Sequence, residues 1–155
     1  MKMKPRICLT LLALSIAMPS VAAKDPNISA IKARQGEMAI RAFNTEPLFA
    51  MAKGKMDYDP VLASKLAANL KLLLDLDTSR DWPPGSGIDN YPNKTSALPK
   101  IWTTYPEIGK YGKKYAQAVN ELNEVAGKGL GALGSKIGAL GKSCKGCHDE
   151  YQEEH

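Results

Sequence analysis

Two cysteines and a histidine stand together near the C-terminus in "GKSCKGCHDE", residues 141–150, as Cys144, Cys147 and His148. Thiols at this spacing beside an imidazole could close a disulfide, hold zinc, form a redox dithiol, or attach a haem covalently while ligating its iron. Each use makes a different demand on the rest of the chain. A disulfide here would close too small a loop to constrain the unfolded chain much. Zinc needs three or four protein ligands, and the other histidine, His155, sits at a chain end expected to fray. A thioredoxin-type dithiol opens a helix beside a strand, and no strand-like alternation is present. Covalent haem needs two thiols and an adjacent imidazole, and C-x-x-C-H supplies them. The motif therefore favours haem c, one covalently bound group with its iron on His148.

The N-terminus says where such chemistry would take place. Lys2, Lys4 and Arg6 precede an apolar run of 12 residues, Ile7 to Met18, and small residues follow at Ser20, Val21, Ala22 and Ala23. That order predicts a signal peptide over residues 1–23, cut after Ala23 or Ala22. The run is too short to cross a hydrocarbon core of roughly 30 Å as a helix, which argues against a retained anchor. Cys8 leaves with the signal, and the mature chain, 24–155, is expected in the periplasm, where c-type haems are attached. Cleavage removes three of the 21 basic residues and none of the 16 acidic ones, leaving 18 against 16. Most of the chain's basicity thus belongs to the signal, and nucleic-acid binding loses its main support.

The elements that must position the cysteines and histidine all read as helical. Asp25 then Pro26 is an N-cap with proline at the first helical position, and Ile28, Ile31, Met38 and Phe43 give that helix an apolar side. Pro47 is expected to kink or restart it, with its last turn near Lys53 and Gly54. Asp59 and Pro60 repeat the signal for a second helix, about 60–76, with Leu62, Leu66, Leu70 and Leu73 on one side. From Asp77 to Leu98, prolines and glycines without helical period predict a long loop, able to run the length of a bundle or to line a ligand. Pro99 opens a third helix with a kink expected at Pro106, Gly109 and Gly112. A fourth, about Gly131 to Glu154, carries the cysteines. One domain, an all-α antiparallel four-helix bundle with the haem in its core near the C-terminal helix, is the expected fold.

At about 100° per residue, Cys144, Cys147 and His148 share a face with Leu133, Ile137, Leu140 and Tyr151, which turns the site toward the core. Beside it run Gly131, Gly134, Gly138 and Gly141. Interior helical glycine costs about 1 kcal/mol relative to alanine. The stripe is readable as close helix packing, as a weak helix, or as room for a broad flat group.

With a C-terminal "CKGCH", "ARQGEM" in the first helix, "KGKMDYD" at the first turn and "LPKIW" opening the third, the chain resembles the cytochrome c′ family over residues 24–155. The resemblance implies thioether bonds from Cys144 and Cys147, axial ligation by His148, and a homodimer through the first two helices. It also places Arg34 and Gln35 at the haem propionates, with Thr95 and Ser96 as further propionate contacts. Gln152 stands where that family often has a basic residue, so no proximal cation is carried over.

Met38 matches the residue over the sixth iron position, and there the reading forks. An apolar side chain that covers iron without binding it leaves a high-spin five-coordinate site open to NO and CO, the form "RQGEM" favours. A methionine that binds iron makes a low-spin electron carrier resembling cytochrome c556. An NO- or peroxide-consuming enzyme is less favoured, because only Glu37 and Arg34 lie near Met38 in sequence and no histidine is available there. The redox partner is not named by any motif.

Overall fold

The computed structural model describes residues 25–154. The expected signal segment 1–23 and His155 lie outside the described residues.

Helix α1 (Pro26–Ala52) starts where Asp25 accepts a hydrogen bond from the Asn27 N–H at 2.8 Å. It runs through Pro47 without restarting. The carbonyl that Pro47 leaves without its helical donor is that of Phe43, a residue 76% exposed, so the loss falls on the outer side, within reach of water. Gly54, at φ 66°, follows in the left-handed conformation that glycine tolerates best. Helix α2 (Pro60–Leu72) is capped by Asp59, which accepts from the Val61 and Leu62 N–H groups, and a 3₁₀ turn, Leu73–Asp75, extends it as far as expected.

The expected third helix is two. Helix α3 (Lys100–Thr103) stops, and α4 (Gly109–Val125) begins after an intervening turn. Pro106 explains the break: it has no N–H to continue α3, and it disfavours helical geometry at Tyr105. Helix α5 (Leu130–Tyr151) ends three residues short of Glu154, because the chain beyond it pairs with the loop instead. Ala97 and Gln152 form an antiparallel bridge, Leu98 N–H donates to the Tyr151 carbonyl, and Glu153 N–H donates to the Ser96 carbonyl, both at 2.9 Å.

The helices pack in a ring, α1 on α2, α2 on α4, α4 on α5 and α5 on α1. Their directions follow from one latch: the Tyr58 hydroxyl donates to the Ala126 carbonyl and accepts from the Gly129 N–H, each at 2.8 Å. The turn after α1 and the turn after α4 therefore share one end, and adjacent helices run antiparallel. Gly127 is required there, since a Cβ would meet Ser64 Oγ at 2.0 Å and the Pro60 carbonyl at 3.0 Å.

The apolar core fills this latched half, with Leu48 and Met51, Leu66 and Leu70, Val119 and Leu122, and Leu133, Ile137 and Leu140 all buried. Asn44, also buried, accepts from Asn69 Nδ2 at 2.8 Å and donates to the Ile40 carbonyl. Of the apolar side expected for α1, Ile31 is buried but Phe43 turns outward. Two charged residues, Arg34 and Glu37, take inward places instead, because the other half of the bundle holds a cavity rather than a core.

Both ends of the long loop lie at that second half, so it covers the end of the bundle rather than running its length. It is pinned from several sides. Trp102 Nε1 donates to the Trp82 carbonyl at 3.0 Å, and Ile88 N–H donates to the Ala97 carbonyl at 2.9 Å.

Candidate functional site

The cavity has two lobes, of about 310 Å³ and about 580 Å³, within the range of cofactor pockets. Met38 from α1 and Cys147 and His148 from α5 line both. The first lobe is closed by Arg34, Gln35, Trp82, Thr95, Ser96 and Tyr151. The second is bounded by Arg41 and Phe49 of α1, Tyr111 and Tyr115 of α4, and Gly141 and Cys144 of α5. Arg34, Gln35, Met38, Thr95, Ser96, Cys144, Cys147 and His148, the site residues expected from the sequence, thus each line one lobe or both, although Met38 and His148 are 110 residues apart.

Arg34 is 3% exposed, and its fork grips the loop. Nη1 donates to Ser86 Oγ at 2.7 Å and to the Asp81 carbonyl at 3.2 Å, while Nη2 donates to the Ser86 carbonyl and to Thr95 Oγ1 at 3.0 Å. Its guanidinium also sits 4.9 Å from the Trp82 ring centroid. Burial pushes the Arg34 pKa below its ordinary value and Asp81 opposes this, but an arginine stays charged. Gln35 Nε2 donates to the Lys94 carbonyl at 2.7 Å. Thr95 Oγ1 accepts from Arg34 and from the Ala97 N–H, so its own O–H is what the hydroxyl has left to offer.

Cys144 and Cys147 are half-buried and not disulfide-bonded. Burial pushes both thiols above the ordinary value, with Arg41 pulling the other way. Neutral thiols near the C-terminal end of a helix lack the depressed pKa that makes a redox dithiol reactive. His148 is more exposed than the cysteines and stands at the mouth where the lobes join.

Of the glycine stripe, only Gly141 lines the cavity; a Cβ there would meet Phe49 Cζ at 2.9 Å. Gly131, Gly134 and Gly138 are exposed, with open space where a side chain would go. The room for a flat group comes mainly from the separation of α1 and α5.

Several residues of the site were missed from sequence. Glu37, named above only as a neighbour of Met38 in sequence, is 7% exposed and accepts a hydrogen bond from Arg41 Nη2. Arg41 stacks 4.5 Å over the Tyr115 ring, and Trp82 and Tyr111 add aromatic walls. The readable signal was the spacing Arg34, Met38, Arg41, Thr45, one helix face at steps of four, three and four.

A mostly apolar cavity, walled by aromatics and entered by two thiols and an imidazole, suits a porphyrin with iron. The cytochrome c′ family model matches residues 29–152. The chain belongs to the cytochrome c′ family. Its cofactor is accordingly haem c, covalently attached and carrying iron.

Among relatives, the cytochrome c′ of Cereibacter sphaeroides is 33% identical over 139 residues, covering 90% of this chain and 93% of that one. A solved cytochrome c′ from Rhodobacter spheriodes matches with a TM-score of 0.81 at 32% identity, over 85% of this chain and all of its own. A ferrous Alcaligenes xylosoxidans cytochrome c′ variant solved with bound NO matches with a TM-score of 0.70 at 26% identity, over 82% of this chain and 97% of its own.

Proposed function

We propose that this cytochrome c′ family member is a periplasmic haem protein whose iron is held on one side by His148 and left open to NO and CO on the other. Cys144 and Cys147 carry the thioether bonds, and Met38 covers the open face without binding it. The observation that carries this reading is the meeting of Met38, Cys147 and His148 on the wall common to both lobes. When bound, haem c supplies one-electron chemistry and a binding position for small diatomic gases.

The chain's own residues supply position and polarity. Arg34 clamps the loop over the first lobe, and Thr95, Ser96, Gln35 and Arg34 put donors on the wall where the propionates would lie. A propionate there would share the Arg34 fork with Ser86 and Thr95. Met38 is a flexible thioether, 39% exposed, which can give way to an entering gas. Peroxidase-type turnover would want an acid–base pair at that face. Glu37 is engaged by Arg41, so we favour gas binding and electron transfer over an enzyme. Among the described residues no helix is long and apolar enough to cross a membrane.

A homodimer through α1 and α2 is part of this reading. Ala33, Gly36, Ile40, Phe43 and Pro47 follow steps of three and four along the outer face of α1. Val61, Lys65, Ala68 and Leu72 do the same on α2. Such seams suit a facing helix pair.

Titration of the ferrous holoprotein with CO tests the gas-binding reading. Saturable binding without prior mutation is expected. A protein that takes up CO only after Met38→Ala would instead be the methionine-ligated electron carrier.

A further inference from the structure

Between Ile108 and His148, the stretch that holds α4 and α5, the chain carries seven lysines and two glutamates. The chain expected after signal cleavage is close to balanced, so this excess is local to one pair of helices. Glu107, Glu121 and Asp149 take up Lys110, Lys136 and Lys145. Among the described residues no ion pair holds Lys113, Lys114 or Lys142, and all three are exposed. Like charges left together on one surface repel each other and raise the local potential by several kT.

The lysines stand against the wall of the haem cavity. The Lys110 and Lys114 ammoniums lie 5.4 Å and 5.7 Å from the centroid of the Tyr111 ring, and Tyr111 lines the second lobe with Cys144 and Cys147. One side chain therefore separates these cations from the cavity. Lys114 and Lys142 flank a groove between α4 and α5, with Ser143, the neighbour of Cys144, in its lining. The order of packing around the ring of helices puts α4 and α5 opposite α1 and α2, so the proposed dimer leaves this face open. Apolar anchors are scarce here. Of the large exposed apolar side chains, Leu130 stands in α5 at the latched end and Tyr105 precedes α4. A lipid surface would hold a helix by a buried apolar face as well as by charge, so a charged face without one fits a protein partner better.

We propose that the outer face of α4 and α5 around Tyr111, bearing Lys113, Lys114 and Lys142, docks an acidic one-electron carrier protein that reduces the haem across the Tyr111 wall. The proposal rests on the haem and electron-transfer reading above. The carrier's reduced centre loses one electron and the ferric iron gains it, with no bond made or broken. Opposite charges would steer the encounter and set the orientation, and Asp149, Glu150, Glu153 and Glu154 would turn an acidic surface away from the adjoining end of α5.

The test is stopped-flow reduction of the ferric holoprotein by a reduced plant-type ferredoxin, a strongly acidic one-electron carrier, over a range of salt concentrations. Wild type is compared with the triple variant Lys113→Gln, Lys114→Gln and Lys142→Gln. A control of the same net charge carries Lys53→Gln, Lys55→Gln and Lys128→Gln at the latched end. At low salt the rate constant is expected to fall about tenfold in the α4–α5 variant and to stay within about twofold in the control. The salt dependence should flatten in the α4–α5 variant alone. Equal losses in the two variants would show that only overall charge matters and overturn the proposal. An unchanged rate in the α4–α5 variant, or a wild-type rate indifferent to salt, also overturns it. So does an unchanged rate joined to loss of binding to anionic phospholipid vesicles, which assigns the face to a membrane. Unaltered haem absorption and CO affinity in both variants show that the cavity is intact. Failure of the haem reading is separately visible, as a wild-type protein giving no pyridine haemochrome.

Discussion

Arg34 divides its fork among three loop residues, which sets it apart from a charge on a helix surface. A lysine there keeps the charge but loses the planar geometry that reaches Ser86, Thr95 and Asp81 together. Arg34→Lys should cost about 2 kcal/mol in denaturant unfolding of the holoprotein. Amide exchange should quicken over residues 81–97 while the core around Leu70 and Leu122 stays protected. Unchanged exchange in the loop would remove the clamp. The position of Arg34 was legible in "RQGEM", but its partners were not. Ser86 and Asp81 are distant in sequence, and no local pattern reports a tertiary hydrogen bond. Arg41 escaped for a related reason: a charged helical residue four places after a glutamate reads as an ordinary solvated pair.

At the scale of elements, the caps were the most readable features, because Asp25–Pro26 and Asp59–Pro60 act through atoms one to three residues away. The division of α3 from α4 was harder. Pro106 announces a disturbance, and only the packing decides between a kink and a break. The glycines of α5 carry the sharper lesson. A spacing of three and four puts all four on one stripe, yet Gly134 and Gly138 face solvent and Gly141 faces Phe49. Gly134→Ala and Gly138→Ala should each stabilise the holoprotein by about 0.5–1 kcal/mol, through reduced freedom of the unfolded chain. Gly141→Ala should gain less or lose stability, because its Cβ meets the Phe49 ring. Urea midpoints compare the three, and equal gains would show that Gly141 makes no room at the cavity.

Across the whole molecule, the bundle is solid at the latched end and hollow at the other. Apolar residues meet in the first half, whereas Arg34, Glu37, Met38 and Arg41 occupy the equivalent inward positions beside the cavity. Four amphipathic helices were enough to read the fold, but not to tell which half was hollow. Hydrophobic period alone also misassigned Phe43, which was expected on the inner side and instead lies 76% exposed beside Ile40, 51% exposed. Both sit on the α1 seam of the proposed dimer. Phe43→Glu should convert dimer to monomer in sedimentation equilibrium while leaving the haem absorption unchanged. A wild type that is monomeric at high concentration would remove the dimer.

The central claim concerns the face of the haem that Met38 covers, and an EPR spectrum of the ferric holoprotein at neutral pH tests it most directly. The account predicts a high-spin signal in wild type that stays high-spin in Met38→Ala. A purely low-spin wild-type signal that turns high-spin in Met38→Ala would contradict it.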